Sequence, residues 1–390
     1  MNATDVALEP LVQRAESLYR DVKLDAVRAW KEAHPGRKAV GCMPVWFPKE
    51  VIHAAGALPV GIFGGGDAVE NNKGDAYFQS YICHSPRSTI EMCLGGSMDC
   101  IDGMIFPSIC DVIRNLSGMW QLTFPDRPGW YFDMPQSFDE IGRSFFAHEL
   151  GSLRDRIHEV CGTQPDDAAL AASIELFNEN RRLVEALYQQ RREKPWLHPT
   201  SEVYVVLRAG ALLPVEEHNA MLREYMELAA ASGRHPIDNA RVVVVGSFCE
   251  QPPLNLIRTI ERAGCYVVDD DLLLGNRLVR GDVQVGDDPL LGIVDAFLAH
   301  AGEAAFLYKP EDKGAELLER IEAAHAEGVL FCAPSFCDPA LLDQPMLVKA
   351  VEAAGIPHTS FKYAENTGQF QVIREQAGTF ADSIKLWGAA

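Results

Sequence analysis

The segment Gly103–Asp111 reads GMIFPSICD and joins an apolar run to a cysteine and a helix-capping residue. A short apolar run is typical of a fully buried β-strand, and aspartate is a preferred N-cap residue. The segment therefore predicts a strand that leads directly into a helix. In an open α/β sheet, the carboxyl ends of the strands line the crevice in which ligands bind. We expect Cys110 to lie at such a crevice.

Two further cysteines are predicted to lie at the same kind of junction. Cys83 follows the run Ala76–Ile82, and Cys337 follows the run Gly328–Phe336. A capping residue and a proline come next, in the sequences CHSP and CDP. Serine and aspartate are good N-cap residues, and proline is favoured as the first helical residue.

The shared position of the three cysteines suggests a metal site. A helix N-terminus favours a thiolate, and three thiolates that converge on one crevice leave a metal with one open position. Thiolate ligands favour zinc or iron–sulfur clusters, although no CxxC spacing indicates a zinc ribbon or a ferredoxin. Three unrelated buried thiols remain the alternative. Cys332 or Cys249 could also replace Cys337, although Cys332 fits the core of a strand better.

Composition excludes several classes of partner. The 390 residues carry 35 Lys and Arg against 55 Asp and Glu, a formal net charge of −20. A chain this acidic is not expected to bind nucleic acid or anionic membranes, because both require a basic surface on the protein. Residues 1–22 do not resemble a signal peptide, and the longest apolar stretch, residues 51–66, is too short and too rich in glycine to span a bilayer. We expect a cytoplasmic protein with reduced cysteines.

The order of the sequence patterns predicts an α/β fold of two Rossmann-like lobes. Short apolar runs alternate with helical stretches on both sides of a long helical region, which is typical of parallel sheets with crossover helices. Strands are expected at residues 39–45, 59–63, 76–82, 103–109, 129–134, 241–245, 266–269, 304–308, 329–331 and 356–361. The expected division is an N-terminal helical segment (1–37, with an amphipathic helix over 5–33), a first α/β lobe (38–136), a helical region (137–236) and a second α/β lobe (237–390).

Several of these sequences resemble the family of 2-hydroxyacyl-CoA dehydratases and benzoyl-CoA reductases. Residues 41–56, GCMPVWFPKEVIHAAG, resemble the opening motif of the family. Cys83, Cys110 and Cys337 lie in segments similar to its three cysteine motifs. Within the family, residues 333–339, APSFCDP, and the histidine at position 84 look most like the smaller cluster-bearing subunit of ATP-dependent reductases.

The resemblance implies a cofactor and a set of partners. It implies one 4Fe–4S cluster held by Cys83, Cys110 and Cys337, with one iron left open. A homologous sister subunit and an ATPase pair would complete a heterotetramer, with ferredoxin as the electron donor. The implied reaction is the two-electron reduction of the ring of benzoyl-CoA to a cyclohexadiene-carbonyl-CoA in anaerobic aromatic degradation. ATP would be used by the partners, and the sequence contains no GxxxxGK[S/T] motif.

Two other functions remain open at this stage. The chain could belong to a 2-hydroxyacyl-CoA dehydratase, which removes water by radical chemistry and recycles its electron. It could also be a non-catalytic subunit that only passes electrons to its sister subunit.

Four further residues are candidates for the implied chemistry. Protons for the ring could come from His84, beside a proposed ligand, or from Glu365, after the last strand. The alternatives are a hydrogen bond from His84 near the cluster and a solvated loop carboxylate at Glu365. Arg87 and Arg114 each follow a proposed ligand by four residues, so they could bind an anionic cluster or a CoA phosphate. An ion pair within the first lobe is the alternative.

A glycine run and a group of aromatic residues complete the candidates. The run Gly64–Gly66 could bind a phosphate, but we favour a turn that lets two segments approach closely. Trp46, Phe47, Phe63 and Trp120 could line an aryl pocket, with core packing as the alternative.

Overall fold

The structure is a computed structural model that describes residues 3–246, 251–300, 313–364 and 370–387. Within these residues the chain forms two parallel β-sheets of four strands each, with helices packed around them. The predicted α/β fold of two Rossmann-like lobes is therefore confirmed.

The first sheet has the strand order β2-β1-β3-β4. Its strands are β1 (Ala39–Cys42), β2 (Leu58–Gly61), β3 (Gly103–Pro107) and β4 (Gly129–Phe132), and its helices are α3 (Lys49–Ala54), α4 (His84–Leu94) and α5 (Asp111–Thr123). The central strands β1 and β3 are buried along their whole length, as expected of parallel strands with both faces covered. At the carboxyl end of β1, Cys42 pairs with Gly61 on one side and Ile105 on the other.

The second sheet repeats this arrangement, with the order β6-β5-β7-β8. Its strands are β5 (Ala240–Val245), β6 (Cys265–Asp270), β7 (Gly328–Pro334) and β8 (His358–Tyr363). Its helices are α10 (Leu254–Arg262), α11 (Pro289–His300), α12 (Lys313–Ala323), α13 (Asp338–Ala353) and α14 (Gln371–Trp387). In both sheets the first and third strands are neighbours. The strand order reverses between them, which is the switch point where ligands bind in open α/β sheets.

Long helices separate the two sheets in sequence. They are α6 (Glu140–Cys161), α7 (Asp167–Glu193), α8 (Thr200–Ala209) and α9 (Val215–Ala230). Helix α6 is capped at its N-terminus by Asp139, whose carboxylate accepts a hydrogen bond from Gly142 N. It ends at Gly162, which adopts a left-handed φ of 65°. Glu50 of α3 forms an ion pair of 2.5 Å with Arg181 of α7, which fixes the helical region to the first lobe.

Two sequence predictions are wrong. Residues 5–33 form two helices, α1 (Ala3–Tyr19) and α2 (Asp25–Ala33), because the chain turns between them and Leu24 adopts a left-handed φ of 55°. Residues 76–82 form no strand but continue a short 3₁₀ helix, Gly74–Ala76, in turns. The run was apolar only in part, and Tyr81 is 64% exposed. The strand expected at 304–308 lies outside the described residues.

The packing of side chains links the two lobes. One cluster of buried side chains surrounds the first sheet and also contains Ala333, Cys337 and Ala340 from the second lobe. Trp46 of the first lobe packs against Phe297 of α11, with 4.8 Å between ring centroids. The boundaries of the four predicted segments remain a prediction. Within the described part of the chain, no helix combines the length and the apolar character needed to cross a membrane.

Candidate functional site

Each of the three predicted ligands occupies the N-cap position of a helix. Cys83 precedes α4, Cys110 precedes α5 and Cys337 precedes α13. The sequence placed the caps one or two residues later, at the serine or aspartate. Those residues instead lie in the first helical turn, and no side chain of the three cysteines makes a capping hydrogen bond.

This position suits the chemistry of a thiolate. The first N–H groups of a helix carry partial positive charge, and a cysteine at that end has its anionic form stabilised. None of the nine described cysteines forms a disulfide bond. Three cysteines of this chain thus lie at helix N-termini.

Cys110 and Cys337 occupy equivalent positions in the two lobes. Pro107 ends the third strand of the first lobe, and Cys110 follows three residues later. Pro334 ends the third strand of the second lobe, and Cys337 follows at the same interval. Both cysteines therefore lie beside the switch point of their own sheet.

A turn that contains Gly64 and Gly65 positions Cys83. Ser88, in the first turns of α4, accepts a hydrogen bond from Gly65 N at 3.0 Å and donates one to His84 O at 3.0 Å. Gly64 has φ 78°, and a Cβ there would collide with the side chain of Ser88. The close approach expected of the glycine run is confirmed, and it holds the helix that Cys83 caps.

The three thiols are not gathered as metal ligands among the described residues. Cys83 and Cys337 are buried, and Cys110 is half-buried. Cys337 belongs to the cluster around the first sheet, and Cys110 packs against the same cluster, so thiols from both lobes share one region. Nevertheless, the described ranges contain no group of three or more His, Cys, Asp or Glu side chains that could hold a metal ion. The donors have the right chemistry, but their convergence remains a prediction.

The other candidates near the cysteines have different outcomes. His84 is the first residue of α4 and is 3% exposed. Cys332 lies within β7 and is 1% exposed, and burial raises the pKa of its thiol well above the usual range, so it is a core residue as expected. Glu365 and Cys249 lie outside the described residues.

Arg87 and Arg114 differ in their contacts. Arg87 forms an ion pair of 3.0 Å with Asp75, which is the structural alternative that the sequence left open. Arg114 instead stacks on Tyr131, with its guanidinium carbon 5.4 Å from the ring centroid, and its Nε donates to the Tyr131 hydroxyl at 3.3 Å. In the described part of the chain Arg114 forms no ion pair with a carboxylate.

Arg114 faces a wide cleft at the carboxyl ends of β3 and β4. The cleft has a volume of about 700 Å³, and Cys110, Tyr131 and Asp133 also line it. Two apolar side chains on its rim, Ile141 and Phe145, are 78% and 40% exposed. A cation, an aromatic ring and apolar walls beside Cys110 suit a large ligand with both charged and apolar parts.

A second, enclosed cavity lies between the lobes. Trp46, Phe47 and Phe63 line it, so three of the four aromatic candidates share one cavity. Trp120 does not, because it is fully buried in the first lobe, where its ring packs on Phe124 at 5.0 Å between centroids.

Sequence reasoning missed a buried charge cluster at the end of β6. Asp269 is fully buried and accepts hydrogen bonds from Arg277 at 3.1 Å and Arg320 at 2.8 Å, and it also pairs with Arg192. Burial alone raises the pKa of a carboxyl group, but these arginines hold the pKa of Asp269 well below its usual range. A run of three aspartates directly after an apolar strand was the available signal.

Comparison with known proteins identifies the family of the chain. Residues 44–384 match the protein family described as 2-hydroxyglutaryl-CoA dehydratase, D-component. The chain belongs to this family, and the resemblance predicted from its motifs is confirmed.

Individual relatives match over nearly the whole chain. The chain is 53% identical to one of the subunits of benzoyl-CoA reductase from Thauera aromatica, over 97% of this chain and 98% of that protein. It is 26% identical to the beta subunit of (R)-phenyllactyl-CoA dehydratase from Clostridium sporogenes, over 90% of this chain and 92% of the relative. It is also 26% identical to the beta subunit of (R)-2-hydroxyglutaryl-CoA dehydratase from Acidaminococcus fermentans, over 90% and 93%.

Proposed function

We propose that this chain is the iron–sulfur subunit of an ATP-dependent benzoyl-CoA reductase. The observation that carries the proposal is the 53% identity to a subunit of a benzoyl-CoA reductase over 97% of the chain, twice the identity to the dehydratase subunits. In the proposed reaction the aromatic ring accepts two electrons and two protons, and the product is a cyclohexadiene-carbonyl-CoA.

The proposed cofactor is a 4Fe–4S cluster with Cys83, Cys110 and Cys337 as its three ligands. The N-cap position of each cysteine supports this, because the helix ends stabilise thiolates and offset the negative charge of a cluster. A bound cluster of this kind supplies electrons at low potential and one iron open to a ligand. Its assembly needs both lobes, since Cys337 comes from the second.

The cleft beside Cys110 is the proposed entry for the CoA thioester. Arg114 presents a guanidinium group without a carboxylate partner in the described residues, and such a group binds phosphate well. Its stacking on Tyr131 fixes it at the cleft wall. His84 and Glu365 remain the proposed proton donors, and the buried position of His84 beside Cys83 supports a role at the site.

The proposed partners are those of such an enzyme: a homologous sister subunit, an ATPase pair and ferredoxin, all in the cytoplasm. The subunit names of the relatives support an assembly of several chains. The second candidate is a subunit of a 2-hydroxyacyl-CoA dehydratase, which the family description favours.

Counting electrons separates the two candidates. The anaerobically purified complex is given benzoyl-CoA, ATP and a titrated low-potential donor. A reductase consumes two electrons for each product molecule, whereas a dehydratase turns over a 2-hydroxyacyl-CoA with a catalytic amount of donor. Turnover of a 2-hydroxyacyl-CoA with a catalytic amount of donor, together with no consumption of electrons when benzoyl-CoA is added, would contradict the reductase assignment. The remaining alternative is an electron relay. In that case the substrate binds to the sister subunit alone, and this chain only passes electrons to it.

A further inference from the structure

The enclosed cavity between the lobes has an unusual balance of charge. Its walls are formed by the ends of β1 and β2, by the end of α8 and the segment after it, and by residues 251, 273, 275 and 276 of the second lobe. Two cationic side chains, Lys49 and Arg208, line it, together with the amides of Gln251 and Asn276. No carboxylate is among its lining residues in the described part of the chain. The cavity is therefore positively charged, although the chain as a whole is strongly acidic.

Neither cation has a carboxylate partner among the residues that the structure describes. The nearest acid in sequence to Lys49 is Glu50, whose carboxylate is committed to Arg181 at 2.5 Å. Arg208 contacts aromatic rings instead, with its guanidinium carbon 4.2 Å from the centroid of Phe63.

The surroundings make the charge of Lys49 costly. Trp46 and Phe47 form apolar walls, and the Lys49 amine lies 5.7 Å from the centre of the Phe47 ring. Burial lowers the pKa of Lys49 below its usual range. Burial also lowers the pKa of His218 to about 4, and the charge of Lys49 contributes to that shift. An anion between Lys49 and Arg208 would offset this unfavourable charge.

We propose that this cavity binds a short-chain carboxylate, of the size of acetate, between Lys49 and Arg208. Its volume is about 30 Å³ when measured for the centres of water molecules. One water needs roughly 10–15 Å³ on that scale, so the cavity suits a molecule of a few heavy atoms. The planar guanidinium of Arg208 matches a carboxylate, and the apolar walls match its methyl group. Because residues of both lobes line the cavity, the bound anion would stabilise the contact between the two lobes.

Calorimetry and thermal unfolding of the full-length protein test this site without any turnover. Acetate is compared with acetamide, which has the same shape without the charge, and with chloride at equal ionic strength. We expect saturable binding of acetate and an increase of about 2 °C in the unfolding temperature, because a ligand that binds only the folded state stabilises it. Equal effects of chloride or acetamide would overturn the assignment to a carboxylate.

Matched variants identify the residues. Lys49→Met should weaken acetate binding by about 10-fold or more, since a desolvated cation is removed. Lys23→Met removes an equal charge from an exposed position and should bind acetate as the unmodified protein does. Lys49→Gln serves if the methionine variant does not fold. Unchanged affinity in a folded Lys49 variant would refute the proposal, whatever the enzyme activity proves to be.

Discussion

Cys110 and Cys337 are related by the repeated topology of the two lobes, since each caps a helix three residues after the third strand of its sheet. The proposed cluster therefore depends on one ligand from each switch point and on Cys83. Serine at any of the three positions should remove most of the iron, because a hydroxyl is a poor ligand for iron–sulfur clusters. Iron and sulfide analysis of anaerobically purified protein measures the loss.

The control for these variants is Cys161→Ser. Cys161 is the last residue of α6 and is half-buried like Cys110, but it does not cap a helix. Iron content should stay at the unmodified level in this variant. Full iron content in two or more of the three ligand variants would show that the ligand set is wrong.

The turn at Gly64 predicts a local loss of stability. Gly64→Ala forces a side chain into a left-handed conformation and against Ser85 O, which would lie 2.8 Å from the new Cβ. The free energy of unfolding should fall by about 1–3 kcal/mol. Because the turn holds α4, iron content should fall as well. Gly118→Ala in α5 is the control, since a Cβ there meets nothing within 4 Å, and it should keep or increase stability.

The sequence predicts most of the strands for a physical reason. Residues 103–109 and 241–245 are continuous apolar runs, and central parallel strands are buried on both faces. The run at 76–82 misled because it contains Gln79 and Ser80 beside its aromatic residues, and no neighbouring strand among the described residues covers it. That Lys49 and Arg208 line one cavity could not be predicted, since it depends on how elements that are distant in sequence pack together. Local sequence encodes strands and helix starts, whereas contacts between distant elements depend on tertiary packing.

Stability should depend on pH through His218. Asn180 donates to His218 Nδ1 at 2.9 Å and the ring contacts Val206 O at 3.1 Å, so the neutral imidazole satisfies both partners. Its folded pKa of about 4 lies below the unfolded value of 6.5, so the unfolded state binds the proton first as pH falls. Between pH 7 and 5.5 the free energy of unfolding should fall by about 1 kcal/mol from this group.

Urea unfolding at both pH values tests this contribution. His218→Gln should lose less stability than the unmodified protein over the same interval, although it starts from a lower value. His235→Gln, at an exposed position, should show the unmodified dependence. An equal pH dependence in the His218 variant would mean that other groups cause the effect.

The arginine cluster around Asp269 predicts that removal of this one negative charge lowers stability strongly. Asp269→Asn leaves Arg192, Arg277 and Arg320 without their buried counter-charge, which should cost about 3–5 kcal/mol. Asp295→Asn removes an exposed partner of Arg143 and should cost less than about 1 kcal/mol. Denaturant titration of both variants compares them, and similar losses would show that the cluster is not a strong determinant of stability.

Substitutions of the two arginines near the proposed ligands, Arg87 and Arg114, should differ in their effects on KM and on stability. Arg114→Met should raise KM for the CoA thioester by about 10-fold or more, because a phosphate contact is lost before any chemistry occurs. Stability should hardly change, since Arg114 stacks on an exposed cleft wall. Arg87→Met should instead lower stability with little effect on KM, because its ion pair with Asp75 lies within the first lobe. Steady-state kinetics and thermal unfolding of both variants decide this. The reverse pattern would move the CoA contact from the cleft beside Cys110 to the helix that Cys83 caps.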